Sequence, residues 1–375
     1  MDIYKEIGKR IREERKARGL TLKNLSRRAG YTNYQTLLNI ENGERRITIA
    51  DLYAISKALG LSVDYFLEEQ EESHVLWRKC LNVQKCKKFE SLLKRYCKNY
   101  AHLLDITGAT VKKFKPYSTV SLKRDYPISS YEFPEKFAEE IRKEYNLSSF
   151  PGKILLQTLE NNGILIFLFN LGKSGSSACF VDEFGGAILL NSAEVQSIPW
   201  RMTFNLAHEF FHLLTWDLYN PEEIYDNEEK GKSIVEKFAD AFAAHLLIPE
   251  SVLMEEIGDP EKIDNFDIAY LAANVFRVSP DALIWRLYNL KLIDEKRKEN
   301  LLNSRKLKIL FKNLWKKEYG KTDKVFKEIE ELPDNYISLA LKAFRLNLIS
   351  KMKLAEFLGR NIAEVDYLLF KLEKG

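Results

Sequence analysis

The sequence predicts an α+β chain, mostly helical. It reads as an N-terminal five-helix module, a helical connector, a domain with a small sheet and a metal-binding helix, and a C-terminal helical region. Three observations carry that reading. Apolar residues recur at three- and four-residue spacing from the first residues onward, the mark of amphipathic helices. Residues 163–191 instead show short apolar runs between Gly/Ser turns, the pattern of strands. Soon after them comes Ala207-His208-Glu209-Phe210-Phe211-His212, an HExxH run in an apolar, helix-compatible stretch from Phe204 to Leu214.

The bulk numbers bound what such a chain is. Its 375 residues are enough for two or three domains with a substantial core. Hydrophobic residues at 45% and charged residues at 30% are ordinary for a soluble globular protein. The net charge of +4 hides an asymmetry. Residues 1–66 hold 13 Lys/Arg against 8 Asp/Glu, and residues 70–130 hold 13 against 5. Residues 131–375 hold 32 against 39. A basic first third on an acidic remainder predicts that one end meets a polyanion; solvated helix faces are the plain alternative for 70–130. The first residues are charged and lack a signal peptide's apolar segment. The longest apolar run, Ile164 to Phe169, is far too short to span a bilayer. A cytoplasmic protein without membrane contact is expected. Cys80, Cys86, Cys97 and Cys179 fit no common zinc spacing, so reduced thiols are expected.

Residues 1–67 divide into five short helices. Ile3, Ile7, Ile11 and Leu20 bracket the first, which stops at Gly19. Thr21 caps a second helix carrying Leu22, Leu25 and Ala29, ended by Gly30. Asn33 caps a third with Leu37 and Ile40 turned inward. Thr48 and Asp51 form a capping box for a fourth through Leu59, and Ser62 opens a last turn with Val63 and Phe66. Two short helices across a tight turn are the geometry that delivers a helix into the major groove. The run Leu22 to Gly30 and the run Ile40-Glu41-Asn42-Gly43 resemble the Cro/cI-type (XRE) helix-turn-helix family, although Gly30 to Glu41 is one residue longer than usual. If the third helix enters the groove, Tyr34, Gln35 and Asn39 face base edges or nearby phosphates, with Gln and Asn suited to adenine. Arg45 and Arg46 are placed to clamp phosphates. One module reads a short half-site, so the expected binder of double-stranded operator DNA is a homodimer.

The acidic run Glu68 to Glu72 ends this module. The connector, 68–130, carries Leu81, Phe89, Leu92, Leu93, Tyr96 and Tyr100 at helical spacing among lysines. Residues 116–134 hold Pro116, Pro127 and Pro134 and read as an irregular crossing segment. Helix returns at Glu135–Tyr145. Strands follow at 163–169, 178–182 and 187–191. Ala187–Asn191 reads either as a substrate-receiving edge or as an ordinary core strand.

On a helix, His208 and His212 share a face and can present two imidazoles to one metal ion. Glu209 lies beside the first of them, where a carboxylate can take a proton from activated water. A catalytic zinc needs a third protein ligand and an open position. Glu236 and Asp240 are again four apart, so one can bind metal while the other orients an imidazole. The run Phe204 to Leu214, then Glu236 to Pro249, resembles the ImmA/IrrE family of zinc metallopeptidases, and Val278 to Leu290 is similar to that family's closing helical element. The similarity covers residues 131–290 and implies a zincin-like, gluzincin-type domain. It implies Zn2+ held by His208, His212 and Glu236, Glu209 as general base, and Asp240 supporting a ligating imidazole. Phe211 stands where the family usually has Gly, and Asp240 where it often has Asn. Tyr219, Tyr225 and His245 are candidate donors to a developing oxyanion. His245 lies nine residues after Glu236, half a turn out of phase, and reads as structural. Residues 291–375 form a Lys-rich helical accessory region in which Ile349 to Gly359 resembles a further helix-turn pattern.

The expected protein is thus a DNA-binding transcription regulator carrying a zinc-dependent endopeptidase. Its partner would be a specific protein substrate, a repressor being the type the family cuts, in a stress or mobile-element response. The competing expectation is a transcription factor whose peptidase-like domain only senses a ligand or metal.

Overall fold

The computed structural model describes residues 3–61, 63–67, 74–78, 80–219, 224, 232–260, 262–319 and 332–374. The chain divides into two compact units, residues 1–73 with 81–92, and residues 74–80 with 93–375.

The first unit contains α1 (Ile3–Ala17), α2 (Leu22–Arg28), α3 (Tyr34–Glu41), α4 (Ile49–Leu59) and α5 (Asp64–Leu67). Their starts follow side-chain chemistry. Thr21 accepts from the Asn24 N–H, Asn33 from the Gln35 N–H, and Thr48 and Asp51 close a reciprocal capping box. Ser62 lies outside the described residues. Ile7, Ile11, Leu25, Leu37, Ile40, Leu52, Ile55, Leu59 and Phe66 make the core. Ile3 is 56% exposed, so the apolar stripe of α1 begins one turn later than its spacing predicts. At Gly8 a Cβ would stand 2.2 Å from the Ile40 carbonyl oxygen; only glycine lets α1 approach α3 this closely. A buried bidentate pair ties the same helices. Arg15 donates to Glu41 through Nε at 2.6 Å and Nη2 at 2.7 Å.

The second unit opens with β1 (Leu76–Trp77), and α6 (Val83–Thr107) follows in sequence. Then come α7 (Thr119–Asp125), α8 (Glu132–Glu144), α9 (Pro151–Asn161), β2 (Ile164–Phe169), β3 (Ser177–Asp182) and β4 (Gly185–Asn191). Helices α10 (Ser192–Ser197), α11 (Arg201–Leu214) and α12 (Ile234–Leu247) succeed them. Eight further helical segments complete the described chain, among them α13 (Glu250–Ile257), α14 (Asn265–Tyr270) with its π-helical continuation Leu271–Phe276, and α15 (Pro280–Asn289). The segment 116–134 is less irregular than its prolines predict. It holds α7 and the start of α8, because Pro134 occupies the first turn of α8, where its missing N–H has no helical partner to lose.

The sheet order is β1-β3-β4-β2. β2 runs parallel to β4, while β3 is antiparallel to both β4 and β1. Ala187–Asn191 is therefore not an edge. All seven residues of β4 are buried, as befits a strand covered on both faces. The edge on the β3 side is filled by β1, which at two residues is too short to leave a period in the sequence. Helix α11 lies on β3 and β4, and α12 packs against α8 and α11. Cys97 and Cys179 are free and buried, whereas Cys80 and Cys86 are disulfide-bonded, which corrects the expectation of four reduced thiols. Among the described residues no helix is long and apolar enough to cross a membrane.

Candidate metal centre

Helix α11 buries its apolar stripe on the sheet and carries His208 and His212 with it, 0% and 3% exposed. Helix α12 is capped by Ser233, whose hydroxyl accepts the Glu236 N–H at 3.1 Å and so fixes Glu236 in the first turn. The packing of α11 on α12 then brings three donors together. The two Nε2 atoms are 3.3 Å apart. Glu236 reaches His208 Nε2 with Oε2 at 3.2 Å and His212 Nε2 with Oε1 at 3.0 Å. A tetrahedral ion with bonds of about 2.0–2.1 Å has donor–donor edges of about 3.3 Å. The donor set therefore fits zinc in identity and in size. Among the described residues, the ligand atoms of His208, His212 and Glu236 all lie within 4.8 Å of one another.

The surroundings orient the His208 ring. Asp240 Oδ1 lies 2.8 Å from His208 Nδ1, so an Nδ1–H donated there leaves Nε2 with its lone pair toward the cluster. Asp240 is held in turn by Lys232 and, at 3.4 Å, by Arg78 Nη2. Burial and the Arg78 cation press the His208 pKa down, yet Asp240 and Glu236 raise it above the ordinary imidazole value. Burial opposes ionisation of Glu236, but hydrogen bonds from both histidines hold its carboxyl far below the usual range. Burial likewise opposes ionisation of Asp240, and His208, Lys232 and Arg78 together draw it down to about 2.

Glu209 is 1% exposed. Its Oε1 accepts the Ser177 hydroxyl at 2.6 Å, from the first residue of β3. Cys179, two residues along, is pushed well above the usual thiol range by burial and then by the charges of Glu209 and Glu236. Ser177, Arg78 and Asn205 carry no sequence signal for this site, because their partners are distant in the chain; Lys232 reaches Asp240 eight residues on, outside any helical spacing.

A cavity of about 400 Å³ opens beside Glu236, lined by Arg78, Trp200, Phe204 and Lys232 among others. Phe211 is not part of that lining. It is fully buried against Phe242 and Phe133, with ring centroids at 5.4 and 5.9 Å, so the residue that departs from the family pattern fills the core. The candidate oxyanion donors are dispersed. Tyr219 donates to the Ile128 carbonyl, and Tyr225 lies outside the described residues. His245 accepts from Arg286 Nη1 at 3.2 Å, and burial beside Arg286 and Arg142 lowers it to about 3, a neutral structural imidazole.

In the first unit, Tyr34 and Gln35 are exposed on α3 and Asn39 is half-buried. Gln35 Nε2 donates to Asn39 Oδ1 at 3.3 Å, which orients one amide by the other. Arg45 and Arg46 are exposed just beyond the helix.

Known proteins resemble this chain in two separate stretches. Residues 11–66 match the helix-turn-helix family, and residues 159–288 match the family described as the IrrE N-terminal-like domain. An uncharacterized transcriptional regulator in the ATPase CF(0) region of Rhodospirillum rubrum is 38% identical over 65 residues, 17% of this chain and 59% of that protein. An uncharacterized HTH-type transcriptional regulator of Sinorhizobium fredii is 36% identical over 62 residues, 16% of this chain and 79% of that protein. No solved structure matches significantly. The chain thus belongs to the helix-turn-helix family through its first unit, and residues 159–288 of its second are similar to the IrrE N-terminal-like domain.

Proposed function

We propose that this protein is a cytoplasmic transcription regulator that binds double-stranded operator DNA as a homodimer and cuts a specific protein with a zinc-dependent endopeptidase site. The division into 1–67, 68–130, 131–290 and 291–375 is part of that proposal. The observation that carries the enzymatic half is the convergence of His208, His212 and Glu236 within ligand-edge distances.

Each residue has a task in this reading. His208, His212 and Glu236 hold the ion, and Asp240 keeps His208 in its ligating tautomer. When bound, zinc supplies Lewis-acid polarisation of the scissile carbonyl and acidifies water at the site. Glu209 accepts a proton from the attacking water and returns it to the leaving amine. Ser177 keeps the Glu209 carboxylate in one orientation through the reaction. At the other end, Gln35 and Asn39 read bases, Tyr34 packs at the groove, and Arg45 and Arg46 neutralise phosphates.

A second reading, a regulator whose domain only senses metal or ligand, rests on the intact donor set, which binding alone would explain. E209Q separates the two. The full-length protein and this variant are incubated with cell extract, and new protein N-termini are labelled and sequenced. The endopeptidase reading expects a small set of termini that E209Q abolishes while zinc content stays the same. Identical termini from both proteins would sink it.

A further inference from the structure

The metal centre draws on a residue far outside the segment 159–288 that matches the peptidase family. Arg78 sits at the end of β1, and three of its contacts reach three different elements. Its backbone N–H donates to the Ser177 carbonyl at 3.1 Å, on the strand whose hydroxyl holds Glu209. Its Nη1 donates to Asn205 Oδ1 at 2.5 Å, on α11, three residues before His208. Its Nη2 lies 3.4 Å from Asp240 Oδ1, on α12, four residues after Glu236.

The local chain is built to deliver that side chain. Val75, Leu76 and Trp77 are all buried, and Leu76 and Trp77 pair with Cys179 and Ala178 of β3. A side chain at the end of a strand anchored on both its backbone and its apolar face has little freedom left to lose. Asn205 is 4% exposed and faces the same fork, and the face of Phe204 lies 6.0 Å from the guanidinium. A planar fork reaches two acceptors at once in fixed geometry, which a lysine ammonium on a flexible stem does not.

We propose that Arg78 is a positioning residue of the metal centre, a brace that sets the spacing of the two ligand-bearing helices. It acts through Asn205 on α11 and Asp240 on α12 rather than as a ligand of the ion. The proposal rests on the reading of His208, His212 and Glu236 as a zinc site. Its position near a bound cation also works against it, because like charges repel. The brace therefore has to be separated from the charge.

R78K keeps the charge and removes the fork. N205A keeps Arg78 and removes one end of the brace. Zinc affinity of the full-length wild type, R78K, N205A and the double variant is measured by competition with a chromophoric chelator. Each single variant is expected to weaken zinc binding by about tenfold, the scale on which partners of metal ligands act. The double variant is expected to lose little more than either one, because the two groups form one unit. Unfolding midpoints of the metal-free proteins serve as the control, and loss of affinity without a matching shift in midpoint marks positioning rather than general damage. Wild-type affinity in both singles, or losses that simply multiply in the double variant, would overturn the brace. Stoichiometric zinc in the wild type with that result leaves the metal site standing; no zinc in the wild type removes the site and the brace with it. If R78K does not fold, N205A and N205S test the same brace from α11.

Discussion

The Ser177 hydroxyl donates to Glu209 Oε1 at 2.6 Å, with both side chains buried. This bond fixes which way the carboxylate beside His208 points, and a buried hydrogen bond to a charged group is worth about 1.5–3 kcal/mol. S177A is expected to lower turnover of the cognate substrate by about tenfold or more, while zinc stoichiometry stays at the wild-type value. Metal analysis beside a cleavage assay distinguishes this from a lost ligand. Zinc loss in S177A would show that Ser177 supports the fold of the site rather than Glu209.

Removing a ligand and removing its support should differ in degree. E236A is expected to abolish stoichiometric zinc, and D240A to weaken it by about 10–100-fold. Because an ion that binds only the folded chain stabilises it, zinc should raise the melting temperature of the wild type and leave that of E236A unchanged. Differential scanning fluorimetry with and without a chelator reads both.

His245 links stability to pH. Its pKa falls to about 3 in the folded protein, chiefly through burial and then through Arg286 and Arg142. The unfolded chain takes up this proton near pH 6.5, so its contribution is fully present above that value. It is lost as pH falls from about 6.5 toward 3, at up to about 1.4 kcal/mol per pH unit. H245N should flatten urea-denaturation stability over that window. An unchanged slope would mean that other groups govern acid unfolding.

The Arg15–Glu41 pair predicts a different sensitivity in the first unit. The Glu41 carboxylate is 0% exposed, so E41A strands a guanidinium that is 10% exposed. Breaking such a pair from one side costs about 3–5 kcal/mol. Hydrogen exchange of α1 and α3 amides should accelerate accordingly, and E41Q, which keeps an acceptor, should lose less.

DNA binding should separate base readers from phosphate clamps. R45A/R46A is expected to weaken binding to every duplex and reduce the salt slope by about 2. Q35A should instead cost about 1–3 kcal/mol on the preferred sequence and little on random DNA. Fluorescence anisotropy over a salt series, on a sequence chosen by selection, measures both. Equal effects on all sequences would remove Gln35 from base reading.

What the sequence determined by itself is local. Caps at Thr21, Asn33 and Thr48, the inward stripe of Leu37 and Ile40, and the four-residue spacings of His208 with His212 and Glu236 with Asp240 depend on chemistry within a turn or two. Their positions along the chain are enough to read them. The tertiary structure decided what depends on separation. Strand β1 closes the β3 edge, β4 lies inside the sheet, and Phe211 points into an aromatic core. Ser177 meets Glu209 across 32 residues, and Arg78 meets Asp240 across 162. No period or spacing records such meetings, because they arise only when burial of apolar faces brings α11, α12 and the sheet together.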